Sequence, residues 1–106
     1  MSLADQKCVP CKGGVAPLKG DELRGYHEQV PTWELVNEHH LAKTWKFPNF
    51  AKALEFVNRV GGLAEQEGHH PWIHFTWGIV RIELWTHKID GLHTSDFILA
   101  AKIDRL

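Results

Sequence analysis

Eight histidines stand among 106 residues, and the densest group is His69-His70-Pro71, with His74 just beyond and His87 further along. Imidazole titrates near neutral pH, so such a group serves either as a set of metal ligands or as proton donors and acceptors. Metal ligation is the weaker reading. His70 and His74 have the i, i+4 spacing that chelates zinc on a helix, but Pro71 and the alternation after it place them on a strand. Four strand residues span roughly 13 Å, too far for one ion with ligand distances of about 2.1 Å. A site made from His70 and His87 lacks an obvious completing Cys or carboxylate pair. Acid–base chemistry fits better, because two imidazoles meeting across a strand pair can serve as acid and base. The plainer alternative is that His70 and His87 are exposed polar residues at a hairpin end. His27, His39 and His40 are read as solvated, and His74 as a cross-strand polar partner of Glu83.

Cys8 and Cys11 form a single Cys-x-x-Cys. No second cysteine pair exists to complete a tetrahedral zinc site, and no βαβ pattern accompanies it as in thioredoxin-type redox motifs. Reduced thiols in an irregular arm are expected. A reversible disulfide, or a metal completed by His or a partner chain, stays open.

The elements that must position these groups follow from periodicity. Residues 1–17 read as an extended N-terminal arm, and 18–106 as one domain. A short helix is expected over 18–29, then strands at 33–37 and 41–47 joined at Glu38-His39-His40. Phe50, Leu54, Val57, Gly61 and Ala64 recur at helical spacing, predicting an amphipathic helix over 48–67 that Pro71 cannot continue. Ile73, Phe75 and Trp77 alternate with polar or aromatic neighbours, as do Val80, Ile82 and Leu84. Gly78-Ile79 between them reads as a two-residue hairpin turn. That register places Phe75 opposite Ile82 and His70 opposite His87, on the sheet face carrying Trp72, His74, Arg81, Glu83 and Trp85. A last helix over 94–105 carries Phe97, Ile98, Leu99, Ala100, Ala101 and Ile103. So wide an apolar surface asks for a partner subunit, hence a homodimer or homotetramer. The order α-β-β-α-β-β-α predicts an α+β, two-layer fold: a four-stranded antiparallel sheet with three helices on one face.

Composition narrows the function. Twelve Lys plus Arg against 13 Asp plus Glu give a net charge of −1, without the basic excess of a nucleic-acid module, so no direct nucleic-acid contact is expected. No apolar run reaches membrane-spanning length, and the N-terminus lacks a signal-peptide core, so a cytoplasmic protein without a membrane partner is expected.

Glu65, His69-His70-Pro71, Thr86-His87, Gly91-Leu92 and Asp96 follow one another in an order that resembles the motif of the pterin-4a-carbinolamine dehydratases. That motif runs Glu, three residues, His-His-Pro, a hairpin ending in Thr-His, three residues, Gly, and an Asp that opens the last helix. Trp33-Glu34-Leu35 is similar to the family's first strand, and the likeness covers residues 18–106. The arm resembles that of some prokaryotic members. The resemblance implies dehydration of 4a-hydroxytetrahydropterin to quinonoid dihydropterin, the recycling step of tetrahydrobiopterin, with no metal or redox cofactor. It makes His69, His70 and His87 the catalytic set around a bound pterin. Glu65 and Asp96 would support them, with Pro71, Trp72 and Trp33 at the pocket. Three positions depart from the pattern. Trp72 stands where the family usually has an acid, Gly78 where it has Asn, and His93 where it has the capping Ser or Thr, leaving Thr94 as the expected cap. Other roles implied by the resemblance are a pterin- or protein-binding module like the animal transcription coactivators, or a place in molybdopterin metabolism.

Overall fold

The computed structural model describes residues 2–9 and 13–106. Cys11, and with it the state of the Cys8–Cys11 pair, lies outside the described residues. The elements are α1 (Gly20–His27), β1 (Glu34–Val36), β2 (His40–Lys46), α2 (Phe50–Glu67), β3 (Trp72–Thr76), β4 (Ile79–Leu84) and α3 (Thr94–Ile103). The strands form one antiparallel sheet in the order β1-β2-β4-β3. This is the expected α+β architecture. Leu41, Val80, Ile82 and Leu84 on the inner face are sealed from solvent by Leu23 of α1, Phe56 and Val60 of α2, and Phe97 and Leu99 of α3. No helix is long and apolar enough to cross a membrane among the described residues.

Three expectations are corrected. The hairpin pairs Trp72 with Glu83, Ile73 with Ile82, Phe75 with Val80 and Thr76 with Ile79, so its turn is Trp77-Gly78 rather than Gly78-Ile79. The register shifts by two residues, and because strand side chains alternate with period two, every residue that stays in the strands keeps its expected face, while Trp77 moves into the turn and is exposed. Glycine is required here for space. A Cβ on Gly78 would lie 2.6 Å from the Phe47 carbonyl oxygen, and the Gly78 carbonyl accepts the Phe47 N–H at 2.7 Å. Neither turn residue has a positive φ, so the mirror-image turn is not used. Gly78→Ala is expected to destabilise the fold by about 1–3 kcal/mol through this clash; an unchanged urea midpoint would contradict it.

Helix α2 buries Ala53, Phe56, Val60 and Ala64, a stripe rotated from the expected one. Phe50 and Leu54 are left largely exposed. The large Phe56 ring decides the rotation by packing against Trp45 and Phe47 at centroid distances of 4.9 and 5.3 Å.

Helix α3 needs no partner to cover it. Phe97, Ile98, Leu99, Ala100 and Ile103 are all buried within one chain. The arm supplies the outer cover: Leu3 is buried in a 3₁₀ turn over Leu3–Asp5 that packs on α3. Lys102 donates to the Ala4 carbonyl at 3.0 Å, and Arg105 to Asp5 at 3.0 Å. The apolarity of this helix is used inside the subunit.

Candidate active site

The histidine pair is delivered by the way α2 ends. Gly68 takes a left-handed conformation (φ 67°), which a glycine adopts without a Cβ penalty. Its N–H bonds to the Glu65 carbonyl at 3.4 Å, and the His69 N–H to the Ala64 carbonyl at 3.2 Å. This double closure of the last turn fixes where His69 and His70 leave the helix. Pro71 then directs the chain into β3.

His69 Nε2 lies 2.6 Å from Asp96 Oδ1. Asp96 has no exposed surface, and its other oxygen accepts from the Thr86 hydroxyl at 2.8 Å and from the His93 N–H at 2.9 Å. His93 rather than Thr94 is therefore the residue that opens α3. One buried carboxylate thus ties the end of α2, the end of the hairpin and the start of α3. His70 Nε2 lies 2.7 Å from Glu65 Oε1, one turn back on α2. This pair is exposed, so its value is in orientation more than stability.

His87 arrives differently from the expected strand pairing. Thr86 and Gly91 bridge the base of a small loop, and His87 opens a 3₁₀ turn inside it. Neither His70 nor His87 belongs to a strand. The His87 ring stacks on Trp85 (4.5 Å, 25°) and lies near-parallel to Trp72 (6.5 Å, 20°). His69, His70, Trp85, Thr86 and His87 line one open depression of about 290 Å³. Adjacent His69 and His70 both border it, because the chain there is not yet extended strand. His69 and Thr86 also line a second cavity of about 500 Å³, walled by the arm at Lys7 and Val9 and by Ser95 of α3.

Trp33 does not join this group. It is 1% exposed in the core, and its indole N–H donates to Asp104 at 3.1 Å. The Lys43 ammonium lies 5.9 Å from its ring centroid and forms a 2.7 Å ion pair with the same carboxylate. Trp72 stacks near-parallel with His74 and Trp85 on the open sheet face. His74 faces Arg81 in the register and reaches diagonally to Glu83 at 3.0 Å. His27, His39 and His40 are not simply solvated: His27 contacts the Trp33 carbonyl at 2.6 Å, and the other two pack on Trp85. Trp85 borders the depression although spacing alone gives it no role, and Thr86, quoted only as part of the motif, borders it too. The signal for Trp85 was the alternation that put it on the Trp72 face. Among the described residues, no three His, Cys, Asp or Glu side chains converge as a metal site would require.

Cys8 is held by the same framework. Its N–H donates to Glu67 at 3.0 Å, and its thiol to the Ser95 carbonyl at 3.5 Å. Burial, with the Glu67 carboxylate beside it, pushes the Cys8 thiol up to about 12. The nucleophilic species is the thiolate, so Cys8 is expected to resist iodoacetamide at pH 8 in folded protein and to react on denaturation. Peptide mass mapping distinguishes the two; rapid alkylation of Cys8 in the native state would contradict this.

A family model for pterin 4 alpha carbinolamine dehydratase matches residues 16–106. The chain belongs to that family. A relative bearing the family's name in Rubrobacter xylanophilus is 61% identical over 104 residues, spanning 98% of this chain and 97% of its own length. Another, from Rickettsia bellii, is 53% identical over 106 residues, spanning 99% and 94%. Among solved structures, a transcriptional coactivator/pterin dehydratase from Brucella melitensis shares the fold with a TM-score of 0.76, at 23% identity over 84% of this chain and 96% of that one. A pterin dehydratase-like protein described as a RuBisCO assembly factor in the alpha-carboxysome aligns with a TM-score of 0.59, at 25% identity over 70% and 87%. Glu65, His69, His70, His87 and Asp96, whose order in the sequence resembles the family's motif, lie in and directly behind this depression.

Proposed function

We propose that this chain removes water from a 4a-hydroxytetrahydropterin to give quinonoid dihydropterin. The observation that carries the reading is that His69, His70 and His87 border one depression, two of them with Nε2 held by a carboxylate. A proton goes to the 4a hydroxyl, and the C4a–O bond breaks with its electron pair leaving on water. A base takes the N5 proton, and the N5–H pair becomes the C4a=N5 double bond. Nothing is oxidised or reduced, so the step asks only for placed proton donors and acceptors. With Nε2 of His69 and His70 engaged, Nδ1 is the nitrogen of each that serves the substrate. The carboxylates fix ring orientation and tautomer, as carboxylate partners of catalytic imidazoles do. Trp85 and Trp72 offer flat apolar surface for a planar pterin.

The test is stopped-flow dehydration of freshly generated 4a-hydroxytetrahydropterin. The wild type accelerates it over the spontaneous rate, and His70→Ala does so far less. No acceleration by the folded wild type would overturn the reading.

The proposal includes self-association into a homodimer or homotetramer. Exposed apolar side chains that could serve it include Phe50 and Leu54 on α2 and Trp77 and Ile79 at the hairpin. Sedimentation at micromolar concentration is expected to show a multiple of the chain mass; a monomer alone would contradict it.

A further inference from the structure

The turn joining β1 to β2 is strained, and what it holds in place is His39. Among the described residues, the non-glycine positions with left-handed backbone are Asn37 (φ 52°), Glu38 (φ 54°) and Asp90 (φ 50°). They sit at the two ends of one contact. His39 Nε2 lies 2.8 Å from Asp90 Oδ1, joining the β1–β2 turn to the loop that carries His87. Strained backbone of this kind persists where surrounding contacts over-determine it.

The second half of the contact runs through rings. His39 and His40 lie edge to face, with Nδ1 to Nδ1 at 3.0 Å. Both pack on Trp85, at centroid distances of 5.5 and 5.8 Å, and Trp85 in turn stacks on His87 at 4.5 Å. The proton positions are constrained. A neutral His39 that donates from Nε2 to Asp90 keeps only a lone pair at Nδ1, so His40 donates its Nδ1–H there. Burial holds His40 below the usual imidazole pKa.

We propose that His39 is a positioning residue, fixing through Asp90 and Trp85 the loop that presents His87 to the substrate. Its kinetic consequence rests on the dehydratase reading; the geometry itself does not. Without the clasp, the His87 turn keeps the Thr86–Gly91 bridge and the stacking of His87 on Trp85 and Trp72, but loses its tie to the β1–β2 turn. Rate then falls because the imidazole spends less time in reach of the reacting atoms, while binding of the pterin ring is little changed.

The test uses His39→Ala, Asp90→Ala and Asp90→Asn, with two readouts. In NMR, the His87 ring proton resonance, displaced by the Trp85 ring in wild type, is expected to move towards the free-imidazole position in both alanine variants. Asp90→Asn keeps an acceptor oxygen and is expected to hold it in place. In the dehydration assay, both alanine variants lower kcat by about tenfold with KM nearly constant, the double variant is no worse than either, and Asp90→Asn recovers most of the rate. Asp90 is 88% exposed, so its alanine variant folds even if His39→Ala does not. An unmoved His87 resonance in Asp90→Ala overturns the proposal, as does a moved resonance with wild-type kcat. A moved resonance in a protein whose wild type has no dehydratase activity leaves the positioning intact and overturns the function instead.

Discussion

His70→Ala and His87→Ala are each expected to lower turnover of 4a-hydroxytetrahydropterin by about 10²-fold or more, the scale of positioned proton transfer. Their losses do not add, because two groups that serve one transition state act as a unit. The structure extends the expectation to His69. On a strand it would have faced away from His70 and affected binding at least as much as rate. Since it borders the same depression, backed by Asp96, its alanine variant is expected to lower kcat as well. Added chelator is expected to leave turnover unchanged. Full activity in both His70→Ala and His87→Ala would end the acid–base reading, and loss of activity on chelation would reopen the metal one.

Asp96→Ala is expected to be the most damaging single substitution to the fold near the site. It strips a buried acceptor from His69, the Thr86 hydroxyl and the His93 N–H together. Leaving buried donors unpaired costs about 1–3 kcal/mol each, so a total loss of about 3 kcal/mol or more is expected, read from urea unfolding. Part of that loss is the opening of α3, since a side chain that satisfies a free N–H in the first turn is worth about 1 kcal/mol on its own. Asp96→Asn offers an oxygen to one side and a second donor to the other. It is expected to recover part of the stability while leaving His69 mis-oriented and turnover low. Asp96→Ala with unchanged stability would show that the three contacts are not what ties these elements together.

The architecture was legible because strand alternation and helical spacing each report which face is buried. That signal survives small errors. The hairpin register slipped by two because Trp77 looked like a third inward residue after Ile73 and Phe75; Trp77 itself ends up exposed in the turn, yet no residue left in the strands lost its face. The buried stripe of α2 was misread because Phe50 and Leu54 have the right type and spacing, and only the packing of Phe56 on Trp45 and Phe47 selects between neighbouring stripes. The cover over α3 was invisible for a different reason. The arm has no periodicity, and Leu3 alone says nothing about where it will dock. At the site, the motif spacing singled out His69, His70, His87, Glu65 and Asp96 as candidates, and the fold brings the three histidines to one depression with the two carboxylates bonded to His70 and His69. What spacing cannot carry is partnership across loops. His70 bonds back to Glu65 rather than meeting His87 across strands, Trp33 turns inward to Asp104, and His39 finds Asp90 through two left-handed backbone stretches.

The seat of Leu3–Asp5 on α3 has a consequence for how the protein is made. Lys102 and the Ala4 carbonyl it bonds are 98 positions apart, so the arm leaves the ribosome long before the surface it covers exists. During synthesis, Leu3 has no surface to bury against until α3 emerges, whereas α3 meets an arm already made. Contacts of such long range close late, after their loop entropy has been met by the rest of the fold. The sheet and α2 can collapse first, but the nascent chain carries an uncovered apolar surface until α3 is free and the arm folds back over it. Partly folded chains with apolar surface exposed in this way are open to aggregation.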